Sequence, residues 1–123
     1  RREGLDAQRW NLLHPEDQPR ESYVGRCLNA APGPVVAATD YMKLFADQIR
    51  PFIYKHYVVL GTDGFGRSDY RRQLRKFFEV DRYYVTVAAL KALADEGSIP
   101  ATTVAKAIKK YGIDPGKPNP VTV

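Results

Sequence analysis

A chain of 123 residues, 44% hydrophobic and 27% charged, has the composition of a globular protein, with length for one domain and one core. Its net charge of +5 admits nucleic acid, acidic protein or phosphate as partners. No apolar run approaches the ~20 residues that span a bilayer, and no signal-peptide pattern opens the sequence. The first residue is Arg1 rather than methionine, so the chain reads as a piece of something longer. The single Cys27 has no disulfide partner, which fits a reducing compartment, and its place in an apparent helix over Ser22–Ala30 predicts a buried, inert thiol.

Residues 1–34 are polar and punctuated, a helical lead-in. Leu5, Trp10, Leu12 and Leu13 suggest a short helix ended by His14-Pro15, and Tyr23, Val24, Cys27 and Leu28 a second. Ala31-Pro32-Gly33-Pro34 forces a turn, since each proline fixes its own φ and disfavours helix in the residue before it. Residues 35–66 read as strand, helix, strand and glycine loop. Val35-Val36-Ala37-Ala38 is uniformly apolar, as expected of a strand covered on both faces. Asp40 is placed to cap a helix carrying Leu44, Phe45 and Ile49 on one stripe and stopping near Pro51, and His56–Leu60 is the second strand. Two strands joined by a helix predict a parallel crossover.

Residues 67–112 read as three helices. The first starts at Ser68 or Asp69, with Tyr70, Leu74, Phe77 and Phe78 on its buried face and Arg71, Arg72, Arg75 and Lys76 opposite. Asp81 caps the next, with Val80 and Val85 placed as a hydrophobic staple, and Gly97 suits its left-handed end. Pro100 begins the last, with Ala101, Val104, Ile108 and Tyr111 on one stripe and Gly112 at its end. Residues 113–123 are too rich in proline for a helix and read as an extended tail. Residues 67–110 hold ten cations against five anions, which is the whole positive excess. The simplest reading of that excess is a solvated helix surface. Two strands do not make a stable sheet, so the sequence calls for strands it does not contain. Self-association or a poorly covered sheet edge is expected.

Gly61-Thr62-Asp63-Gly64-Phe65-Gly66 falls between a strand's C-terminal end and a helix, where α/β proteins place their sites. Its spacing matches neither the dinucleotide fingerprint nor the phosphate-binding loop, and Asp63 would repel an anion. A structural turn is expected instead, with Gly64 or Gly66 at positive φ and Phe65 packed against protein. Val at Gly66 would then be strained. His14 and His56 have no second ligand at metal spacing and read as structural. Asp6, Glu16 and Asp17 read as surface charges. With the aromatics of the basic helix buried, nothing remains for base stacking, and no nucleic acid is expected. No serine triad, nucleophile elbow or paired-carboxylate site is found, so no catalytic, cofactor-binding or metal residue is assigned.

The runs Arg9-Trp10-Asn11-Leu12-Leu13-His14-Pro15, Ala38-Thr39-Asp40-Tyr41-Met42-Lys43-Leu44-Phe45-Ala46 and Val59-Leu60-Gly61-Thr62-Asp63-Gly64-Phe65-Gly66-Arg67-Ser68-Asp69 resemble the C-terminal, transketolase-like domain of the bacterial homodimeric pyruvate dehydrogenase decarboxylating component. Phe78-Glu79-Val80-Asp81 and Val87-Ala88-Ala89-Leu90 extend the resemblance over nearly the whole chain. It implies an α/β domain with a mostly parallel sheet and helices on both faces, whose first strands are missing here. It also implies a cytoplasmic, homodimeric parent using thiamine diphosphate and magnesium to decarboxylate pyruvate and acetylate the lipoyl group of a transacetylase subunit. The family's cofactor ligands lie in preceding domains, so the resemblance carries no cofactor to this chain. As part of that enzyme the chain would be structural and dimer-forming, and inactive alone. The alternative is an interaction module whose basic helices dock an acidic partner subunit.

Overall fold

The computed structural model describes all residues, Arg1–Val123. Helices α1 (Arg2–Leu13) and α2 (Tyr23–Leu28) precede strand β1 (Val35–Ala38). Helix α3 (Lys43–Asp47) and a 3-10 turn over Arg50–Phe52 lead to strand β2 (Tyr57–Leu60). Three helices follow: α4 (Arg71–Phe77), α5 (Arg82–Asp95) and α6 (Ala101–Lys110). β1 and β2 pair in parallel, with Val35 opposite Tyr57 and Ala38 opposite Leu60, and no other strand joins them. Helix α5, whose Ala92 is 1% exposed, packs on both strands, while α3 packs on β2 and α6 on α5.

The core is sparse. Only 14 of 123 residues are buried, and Tyr57 is the one strand residue among them. β1 is half-covered rather than enclosed on both faces: α5 packs on it, yet Val35, Val36 and Ala37 stay partly accessible and Ala38 is exposed. On α1 the buried residues are Gly4 and Ala7, while Leu5, Leu12 and Leu13 face solvent. Leu44 and Phe45 of α3 are also exposed. Cys27 is exposed as well, which corrects the expectation of a buried thiol: α2 has only six residues, and the residue it buries is Gly25. Tyr70 lies outside α4 at its N-cap and is 84% exposed, so the apolar face of α4 is Leu74, Phe77 and Phe78 without it. Ala101 is likewise exposed on α6, whose buried side chains are Val104 and Ala107.

The lead-in is tied to the segment after α3. Gly4 stands over Phe52, which is 3% exposed, so closely that a Cβ there would lie 2.6 Å from the ring. The Asn29 side chain donates to the Phe52 carbonyl at 3.2 Å and accepts from the Tyr54 amide at 2.9 Å. The loop from α1 to α2 is closed by Asn11, whose amide bonds both the Arg20 N–H (2.7 Å) and the Arg20 carbonyl (2.8 Å). Arg20 and His14 stack on Trp10 at 4.0 and 4.3 Å, and His14 stays exposed. The first turn of α2 receives two acceptors: Ser22 Oγ takes the Gly25 N–H at 3.0 Å, and Glu3 of α1 takes the Tyr23 N–H at 2.8 Å.

Helices α4, α5 and α6 end alike. In each, the second residue past the cap donates to a carbonyl five positions back: Val80 to Arg75, Ser98 to Leu93 and Ile113 to Ile108. This geometry needs a left-handed residue just after the cap. Gly97 and Gly112 supply it after α5 and α6, but after α4 it is Glu79, at φ 63°. A non-glycine residue there costs about 1 kcal/mol. Its side chain is employed: Lys117 from the tail reaches Glu79 Oε1 at 3.0 Å and the Phe77 carbonyl at 2.6 Å, with its ammonium 5.0 Å from the Phe77 ring. Lys117→Met should therefore destabilise the chain by ~1–2 kcal/mol, because a partly buried charge-assisted bond to a helix-end carbonyl is lost. Chemical denaturation of the two proteins checks this; equal midpoints mean that the tail does not hold α4.

Candidate functional site

The C-terminal ends of the two strands meet in one place. After β1 the chain runs through Thr39, Asp40 and Tyr41 into α3; after β2 it enters Gly61–Gly66. The two exits are stitched together. The Thr62 amide donates to the Tyr41 carbonyl at 2.8 Å, and Asp63 Oδ2 accepts from the Lys43 amide at 3.4 Å. A Cβ on the buried Gly61 would lie 2.8 Å from the Lys43 backbone nitrogen, so the loops approach closely only because Gly61 has no side chain.

Asp40 does not cap α3, which begins three residues later without a side-chain cap of its own. Instead it is held by Arg75 of α4, 35 positions away, through Nε–Oδ1 (2.9 Å) and Nη2–Oδ2 (2.5 Å). The carboxylate nearest the start of α3 is Asp63, from across the junction. The fork from Arg75 holds the Asp40 carboxyl below the usual range, an effect its partial desolvation opposes. A carboxyl whose folded value is depressed adds stability above the unfolded value of ~3.9, lost as pH falls through the folded one. Both side chains are about half exposed, so solvent screens the pair and its contribution to stability is small. Asp40→Asn should accordingly melt slightly below the parent at neutral pH and converge with it in acid.

Within the glycine loop, Gly64 has φ 105° and lies against the tail, where its Cβ would meet the Pro120 carbonyl oxygen at 2.5 Å. Gly66 has no positive φ, and a Cβ there meets nothing within 4 Å. The constraint expected at Gly64 or Gly66 thus belongs to Gly64 alone. Phe65 is 75% exposed and does not pack within the chain. Beside it, Arg67 folds back to place its guanidinium 3.9 Å from the Phe77 ring. The loop, Asp40 and α4 enclose a cleft of about 510 Å³, lined by Thr62, Phe65, Arg71 and Leu74 among others.

His14 and His56 are both exposed and far apart in the chain, and no three His, Cys, Asp or Glu side chains gather as metal ligands. Asp6, Glu16 and Asp17 are exposed. With Tyr70 exposed beside Arg71 and Arg72, the premise that every aromatic of this helix is buried does not stand. The Asp40–Arg75 and Glu79–Lys117 pairs escaped the sequence reading, for each joins segments more than thirty residues apart with no spacing signal.

A parallel strand–helix–strand unit that delivers a glycine loop onto a further helix is α/β architecture. Residues 4–81 match the transketolase-like TK C-terminal domain, and the chain belongs to that family. Its resemblance to particular enzymes runs further. Over 99% of its length the chain is 66% identical to the pyruvate dehydrogenase E1 component of Cupriavidus necator, of which it covers 14%. It is 62% identical over 98% of its length to the component of the same name from Pseudomonas aeruginosa, again covering 14% of that protein. With the Escherichia coli K12 protein it shares 55% over 97%, covering 13% of it. The chain thus spans a small fraction of the relatives it matches.

Proposed function

We propose that this chain is the C-terminal domain portion of a pyruvate dehydrogenase E1 component, contributing structure and dimer contacts. The parent enzyme is cytoplasmic, depends on thiamine diphosphate and magnesium, decarboxylates pyruvate and transfers the acetyl group to the lipoyl group of a transacetylase. The observation that carries the reading is the 66% identity over 99% of the chain to an E1 component. The half-covered sheet and exposed Leu44, Phe45 and Phe65 support it, as they are the surfaces that further strands and a second subunit would cover. No helix is long and apolar enough to cross a membrane.

The residues present do not fit the cofactor. Magnesium takes several oxygen ligands, and a diphosphate needs donors around it. At the strand ends the two carboxylates, Asp40 and Asp63, are engaged by Arg75 and by the Lys43 amide. No chemical step is assigned to this chain, and no residue of it is proposed as catalytic.

Replacing the matching segment of the Cupriavidus necator enzyme with these 123 residues should preserve pyruvate-dependent acetyl transfer and the dimer seen by light scattering. The isolated chain, given pyruvate, thiamine diphosphate and magnesium, should release no carbon dioxide. A dead but folded chimera, or turnover by the isolated chain, overturns the reading. A second reading, docking of an acidic partner subunit, is favoured by the exposed arginines of α4. It requires salt-sensitive binding of the transacetylase by this chain alone.

A further inference from the structure

Next to the glycine-loop cleft, with which it shares Asp40, Arg71, Arg75 and Val80, lies an open pocket of about 630 Å³. It is bounded by the C-terminal end of β1, the start of α4 and the start of α5. Four arginines line it: Arg71, Arg72 and Arg75 from α4 and Arg82 from α5. The carboxylates in its wall are Asp40 and Asp81, so the lining carries two positive charges in excess. Both carboxylates are committed. Asp40 is held by Arg75, and Asp81 Oδ1 accepts from the Tyr83 (2.9 Å) and Tyr84 (3.0 Å) amides.

That second commitment matters, because the amides that would otherwise offer α5 as an anion site are already taken, and any anion must be met by guanidiniums. The guanidiniums of Arg71 and Arg72 make no hydrogen bond within the chain, although Arg71 is near enough to Asp40 to help hold its carboxyl low. Arg75, fixed on Asp40 through two of its five donors, keeps three. Arg82 spends one on the Tyr83 hydroxyl at 2.8 Å. A structural role explains Arg75 and, in part, Arg82, and leaves Arg71 and Arg72 in the wall of the same pocket with unengaged guanidiniums.

We propose that this pocket binds a small molecule through its phosphoryl group. A phosphate monoester carries a charge of about −1.5 to −2 and three acceptor oxygens, which matches the excess of two and the forked donors of arginine. A single carboxylate would satisfy half that charge. A flat acidic protein surface would reach the rim of a concave pocket rather than its wall.

The test is titration of the chain with inorganic phosphate and with pyrophosphate at fixed ionic strength, following arginine Nε–H resonances by NMR. Saturable shifts confined to Arg71, Arg72, Arg75 and Arg82 are expected, with pyrophosphate the tighter ligand. Arg71→Ala with Arg72→Ala should weaken binding at least tenfold without moving the melting temperature, as both side chains are exposed and unbonded. Arg82→Lys, which keeps the charge but loses the fork, should weaken it less. Shifts that grow linearly, that chloride reproduces at equal ionic strength, or that survive the double substitution overturn the proposal. Saturation by an oligoglutamate peptide but not by phosphate also overturns it, in favour of an acidic protein segment.

Discussion

Gly64→Val should lower the stability of the chain by ~2–4 kcal/mol, while Gly66→Val should leave it within ~0.5 kcal/mol. Two effects coincide at Gly64. Its φ of 105° lies where a β-branched residue is strained, and its Cβ would stand 2.5 Å from the Pro120 carbonyl and 3.1 Å from Val121 Cα. The tail cannot retreat freely, since Lys117 is bound to Phe77 and Glu79 three residues before Pro120. Gly66 has neither restriction. Urea melts of the two variants decide the matter, and the reverse order would mean that the loop is held from the other side.

Phe52→Ala should cost ~3–4 kcal/mol, the largest effect of any single truncation in this chain. Phe52 is the most buried aromatic side chain, and it is the contact through which α1 meets the segment leading into β2. Removing the ring leaves a cavity under Gly4, and a helix whose leucines face solvent has little else to hold it. The pair offers a sharper test. Gly4→Ala in the parent puts a methyl group into the ring and should destabilise by ~1–3 kcal/mol. In the Phe52→Ala background the same methyl group enters the vacated space and should be neutral or favourable. Additive effects of the two substitutions would show that α1 does not rest on Phe52.

Much of the fold was legible because it is written in local signals. The β-branched run at Tyr57–Leu60, the Asp81 cap, and the left-handed Gly97 and Gly112 are decided by residues adjacent in sequence. The strand deficit was also legible, since two short apolar runs cannot complete a parallel sheet. What escaped depends on distant segments. Asp40 has the residue type and position of a helix cap, but a guanidinium 35 residues on competes for it and wins by charge. Phe52, in a 3-10 turn after Pro51, carries no periodicity to mark it as a core residue. The apolar pattern turns Tyr70 and Cys27 inward, but the helices that would bury them are shorter than that pattern implies. At the candidate site, the loop's place at the strand ends could be read from sequence, but its restraint by the tail could not.

The bonds from Lys117 to Glu79 and the seat of Pro120 against Gly64 join positions about forty and fifty-five residues apart, always with the later residue as the restraining one. During synthesis the glycine loop and α4 therefore emerge before the tail that fastens Gly64 and Glu79, held only by the earlier Tyr41, Lys43 and Asp40. Through that interval Glu79 has no counter-charge to favour its left-handed backbone, and the C-terminal turn of α4 is free to fray. The turn at Gly64 and the end of α4 then set only when the proline-rich tail folds back across them.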